Sequence, residues 1–169
     1  MKTILLSIIL FIPLIYVIPK ITNRTEITAT IKQGSGLQVD DRAYRIRIYL
    51  QGYSSPLADN SSDFVKTADK YHLDWKVLVA ISGAESTFGK AIPPQSFNPF
   101  GMACWPGHPC ARFNSFADAI DYLGQQLATS KYYAHYRTTK EIQDLAENYN
   151  PSGAISWTHS VKYFMEEIN

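Results

Sequence analysis

Asp74-Trp75-Lys76-Val77-Leu78-Val79-Ala80-Ile81-Ser82-Gly83-Ala84-Glu85-Ser86-Thr87-Phe88-Gly89 is the stretch on which the fold turns. Trp75, Leu78 and Val79 lie on one helical face, and Val77, Ala80, Ile81 and Ala84 fill the others. A helix apolar almost all round belongs at the centre of a domain, where every face meets another element. Asp74 is placed to cap its start. Gly89 and Pro93-Pro94 lie beyond its end, which the pattern places near Glu85 to Ser86.

Helical periodicity continues on both sides. Ala43, Ile46 and Leu50 share one face after Asp40, and Pro56 and Asn60-Ser61-Ser62 break the chain. Phe64, Ala68 and Tyr71 mark a second helix, with Ser62 or Asp63 as its cap. The stretch from Gly89 to Asn114 is a long loop punctuated by Pro93, Pro94, Pro99, Pro106 and Pro109. Loops of that length in small domains are functional or disordered. Its aromatics Phe97, Phe100, Trp105 and Phe113 argue for order. Ser115 with Asp118 opens a helix striped by Phe116, Ile120, Leu123 and Leu127. Thr138 with Glu141 opens another, striped by Ile142, Leu145, Ala146 and Tyr149 and ended by Pro151 and Gly153. A last helix from about Ser156 carries Trp157, Val161, Phe164, Met165 and Ile168. The predicted class is all-α with at most a minor β element. Its six or so helices are short, so they pack orthogonally instead of forming a long bundle.

The 169 residues suffice for one domain with a core. A formal net charge of +1 leaves no basic field for nucleic acid. From Thr3 to Pro19 the chain is uncharged and apolar, with Lys2 and Lys20 at its ends. As a helix it would span about 25 Å, a little short of a hydrocarbon core of about 30 Å. Snorkelling lysines cover the difference. No small-x-small cleavage site follows, so the reading favours a retained anchor over a cleaved signal peptide. Residues 21–38, rich in Thr and containing Gly34-Ser35-Gly36, read as a linker. Three parts follow: 1–20 as signal-anchor or transmembrane segment, 21–38 as linker, 39–169 as the domain.

Cys104 and Cys110 flank Trp105-Pro106-Gly107-His108-Pro109. A disulfide held by the Pro-Gly turn is the first reading, and it fits a domain outside the cytoplasm. Free thiols come second. Zinc, with His108, comes third, because a structural site needs four ligands and no second pair is present. The sequence implies no metal and no cofactor.

Glu85 is the candidate for chemistry. It ends the most apolar helix, near Trp75, Ile81 and Phe88. Burial and the negative helix end both raise a carboxyl's pKa. A glycosidase needs such a group to protonate the leaving oxygen. The plainer reading is a helix-end glutamate paired with a surface cation.

Ala84-Glu85-Ser86-Thr87-Phe88-Gly89, then Phe97-Asn98-Pro99-Phe100-Gly101-Met102, resembles the bacterial glucosaminidase family of peptidoglycan hydrolases, which shares the lysozyme-like superfamily with lytic transglycosylases. Ala111-Arg112-Phe113-Asn114-Ser115-Phe116 is similar to that family's lead into the next helix. Leu145-Ala146-Glu147-Asn148-Tyr149-Asn150-Pro151, then Trp157 and Val161, is similar to tails in both groups. The likeness covers about Asp63 to Ile168. The Glu-Ser element alone is common, and the ordered set carries the resemblance.

The resemblance implies a lysozyme-like domain that cuts the β-1,4 bond between N-acetylglucosamine and N-acetylmuramic acid. Glu85 matches the catalytic acid. Asn98, Phe100 and Gly101 match positions that shape the cleft floor. Tyr149 matches a tyrosine facing the acid, although it also continues a helix stripe. Ser86 counts with the substrate-binding residues, and Phe88 and Trp105 either stack on sugar rings or pack. The segment between Cys104 and Cys110 departs from the family, which leaves open the substrate-binding half of the cleft and the bond cut.

No second carboxylate has a motif. Asp59, Asp63, Asp118, Asp121, Glu141 and Glu147 are the candidates, and substrate-assisted hydrolysis or a lytic transglycosylase needs none of them. Peptidoglycan is the expected partner, with the membrane held through the N-terminal helix. No nucleic acid is expected and no protein partner is inferable. A non-catalytic wall-binding module is the alternative from another class; it has no use for a carboxyl at the end of an apolar helix.

Overall fold

The computed structural model describes residues 40–104 and 107–169. The N-terminal apolar segment, the linker and Trp105 lie outside them. The described residues form seven α-helices, with no strand among them. These are α1 (Asp41–Gly52), α2 (Ser61–Tyr71), α3 (Val77–Ser86), α4 (Phe116–Thr129), α5 (Ala134–Thr139), α6 (Ile142–Tyr149) and α7 (Ala154–Glu167). Short 3-10 turns precede α2, α5 and α7. The all-α expectation holds.

Helix α3 is the centre. Every residue from Val77 to Gly83 is buried, as its all-round apolar pattern requires. Two glycines mark where helices touch it and each other most closely. A Cβ on Gly83 would lie 2.6 Å from the Phe88 ring and 2.8 Å from Phe164 of α7. A Cβ on Gly124 of α4 would run into Thr67 and Tyr71 of α2. Phe88 stands in an aromatic cluster with Tyr49, Tyr53 and Phe164, ring centroids 5.5, 4.5 and 5.0 Å away. That cluster joins α1, the end of α3 and α7.

Capping follows the sequence in part. Asp40 accepts from the Arg42 amide at 2.9 Å, and Ser115 from the Asp118 amide at 3.1 Å. Asp74 accepts from the Lys76 amide at 2.8 Å, so it heads the turn that leads into α3. The expected cap of α2 is corrected. The helix begins at Ser61, and Asn60 before it donates its amide to the Asp63 carboxylate at 2.8 Å instead of accepting a helix N–H. The helix expected from Thr138 is also two elements. Lys140 takes a left-handed φ of 62°, which ends α5. The Thr139 hydroxyl then accepts from the Glu141 amide at 3.2 Å, and α6 starts at Ile142.

Candidate active site

Glu85 and the loop that faces it form the site. After Ser86 the chain turns through three successive left-handed residues, Thr87, Phe88 and Gly89, at φ 52°, 57° and 79°. Only the last is a glycine, so the turn is strained at the first two. Buried hydroxyls hold it. Ser86 Oγ accepts from the Gly89 amide at 2.8 Å and donates to the Pro99 carbonyl at 2.7 Å. Ser55 donates to the Phe88 carbonyl at 2.7 Å. The same Ser86 hydroxyl therefore fixes the end of α3 to the loop around residue 99.

That loop is held from inside by Asn98. Its Oδ1 accepts from the Met102 amide at 3.0 Å. Its Nδ2 donates to the carbonyls of Met102 and Ala111 at 2.9 and 3.1 Å. Cys104 and Cys110 are joined as a disulfide within the same loop, as expected. The result presents Gly101 to Glu85. Gly101 has φ 63°, and a Cβ there would lie 2.7 Å from Glu85 Oε2. Both facts demand glycine.

The other carboxyl oxygen faces α7. Trp157 Nε1 donates to Glu85 Oε1 at 2.6 Å. The Trp157 ring stacks on Tyr149 at 5.1 Å with 27° between planes. Tyr149 in turn donates its hydroxyl to the Phe100 carbonyl at 2.7 Å. Burial pushes the Glu85 carboxyl above the usual carboxylate range, and the Trp157 hydrogen bond pulls partly back. Burial, and behind it the charge of Glu85, raises the Tyr133 and Tyr149 hydroxyls, so both stay protonated.

The structure brings Glu85, Gly101 and Tyr149 together. Four of the expected substrate-binding residues are buried. Ser86, Phe88, Asn98 and Phe100 are only 3%, 0%, 1% and 0% exposed. They offer no face to a sugar: Ser86 and Asn98 tie backbone, and Phe88 and Phe100 are core. Trp157 is the site residue to which the sequence reading gave no role, placing it in a helix stripe and in the closing stretch of the resemblance. Its signal is general: a buried indole needs an acceptor for its N–H.

A groove of about 350 Å³ lies beside Phe113 and Tyr122, walled by Arg112, Asn114, Asp118, Asp121 and Gln125. A second concavity, about 620 Å³, runs along Gln143, Glu147, residues 151–156 and His159. Glu85 lines neither.

Three of the six candidate second carboxylates are held in ion pairs. Asp121 pairs with Lys70 at 2.7 Å, Asp59 with Arg47 at 3.3 Å and Glu141 with Lys162 at 3.8 Å. Among the described residues no cluster of His, Cys, Asp and Glu is arranged to hold a metal. No protein-family model, no curated protein and no solved structure matches the chain.

Proposed function

We propose that the chain cleaves the glycan strands of bacterial peptidoglycan, at the β-1,4 bond between N-acetylglucosamine and N-acetylmuramic acid, with Glu85 as general acid. One observation carries this reading. Glu85 is a half-buried carboxyl, held by one N–H and backed by a glycine, and burial raises its pKa. An acid that must be protonated near neutral pH needs that environment. The groove of Tyr122 and Phe113, which Glu85 does not line, has the make-up of a sugar site. Tyr122 is 40% exposed, its ring lies 5.4 Å from Phe113, and amide and charged side chains rim the pair. Apolar faces beside polar rims suit sugars.

Attack on the anomeric carbon by the substrate itself, through its N-acetyl group or a sugar hydroxyl as in a lytic transglycosylase, needs no second carboxylate from the protein. Glu85 would then act as acid and afterwards as base. The apolar run from Thr3 to Pro19 would hold the domain at the outer face of the cytoplasmic membrane.

The test is digestion of purified peptidoglycan with mass spectrometry of the products. New reducing N-acetylglucosamine ends are expected from the glucosaminidase reading. Anhydro-muramic ends would make the enzyme a lytic transglycosylase. Intact strands would overturn the proposal.

A further inference from the structure

The two oxygens of Glu85 differ in their surroundings. Oε1 takes the Trp157 indole N–H at 2.6 Å, and Oε2 faces Gly101, 2.7 Å from where a Cβ would stand. An indole N–H donates one hydrogen and accepts none. It therefore pairs with the carbonyl oxygen of a neutral carboxyl, and the acid hydrogen falls on the other oxygen.

We infer that Trp157 is a positioning residue that keeps the Glu85 proton on Oε2, so that proton transfer takes place on the Gly101 side of the carboxyl. The inference rests on Glu85 acting as the general acid. Trp157 is itself fixed: it is 5% exposed and stacked on Tyr149, whose hydroxyl is bonded to the carbonyl of Phe100, the residue before Gly101. One line of contacts thus sets both sides of the carboxyl, a donor on one oxygen and a backbone without a side chain at the other. In the step, the glycosidic C–O bond breaks, its electron pair goes to the leaving oxygen, and that oxygen takes the Oε2 proton. Glu85 becomes a carboxylate whose Oε1 still holds the indole N–H. Hydrogen bonds to charged groups are the stronger kind, so Trp157 aids the departure of the proton. Water or a substrate hydroxyl then adds to the anomeric carbon and returns a proton to Glu85.

The experiment is an NMR titration of the full chain that follows two signals: the Trp157 indole N–H, and the Glu85 side-chain carbon in glutamate-labelled protein. In the wild type the indole resonance should move with pH at the same midpoint as the Glu85 carbon, and Glu85→Gln should abolish that movement. Trp157→Phe keeps a ring against Tyr149 and removes the donor, so the Glu85 midpoint should rise. The alkaline limb of kcat/KM should rise with it. The plateau kcat should fall by about tenfold with little change in KM, within the range of general-acid effects. An indole resonance indifferent to the Glu85 titration would overturn the assignment, and this needs no variant to fold. An unmoved Glu85 midpoint in folded Trp157→Phe would overturn it too. Loss of the functional reading shows up separately, as wild-type protein that titrates as described but leaves peptidoglycan intact.

Discussion

Glu85 connects stability and pH in a direction that can be checked. Its carboxyl is shifted upward, by burial first. Between the ordinary carboxylate range and that raised value, the folded chain holds a proton that the unfolded chain has lost. Stability from this group is therefore complete at low pH and declines as pH rises through the window. Glu85→Gln is neutral at every pH and its amide oxygen still accepts from Trp157. Its melting temperature relative to wild type should climb across the window. A wild type that gains on the variant as pH rises would contradict the buried-acid reading. Glu85 was legible as a candidate in the sequence because an apolar run ending in a single Glu is visible in one dimension. Trp157 was not, because its bond spans a sequence separation of 72 residues. Nor was the buried role of Asn98, or the choice for Phe88 between stacking on sugar and packing, both of which depend on turns through non-glycine residues at positive φ.

At the scale of elements, α3 and α7 meet through Gly83. The Cβ of Gly83→Ala would press on Phe88 and Phe164, both held by further aromatic neighbours. Overpacking of this kind costs about 1–3 kcal/mol, measurable by denaturant unfolding. A neutral substitution would mean that the helices part more easily than their packing implies. The disulfide closes a short loop, so replacing both Cys104 and Cys110 by Ser should cost about 2 kcal/mol at most. The larger effect should be on turnover, because the disulfide closes the segment between Met102 and Ala111, the residues that Asn98 binds in the loop facing Glu85. Turnover equal to wild type would show that those bonds hold the loop alone. The long helices were legible from their stripes. Helix α5 was not: it is six residues long and ends on Lys140 in a left-handed conformation, where no glycine announces the stop.

For the molecule as a whole, periodicity was enough to read the class and the central helix, since burial on every face leaves an apolar run. Which loop faces the acid depended on contacts between residues far apart, and the groove beside Tyr122 arises only from the packing of the loop against α4. No described helix is long and apolar enough to cross a membrane, so the proposed anchor stands on Thr3–Pro19 alone. Fractionation with N-terminal sequencing should find the chain in the membrane with that segment attached. A soluble product that begins beyond Ile21 would refute the anchor. The central claim is that Glu85 gives up the proton that breaks the glycan strand. It is tested most directly by turnover of purified peptidoglycan by wild type, Glu85→Gln, Glu141→Gln and Glu147→Gln side by side. Glu85→Gln should lose at least 10²–10⁴-fold, the usual contribution of a general acid, with its fold intact. The other two should stay near wild type. Near wild-type turnover in folded Glu85→Gln, or a wild type that binds the polymer and never cuts it, would contradict the account.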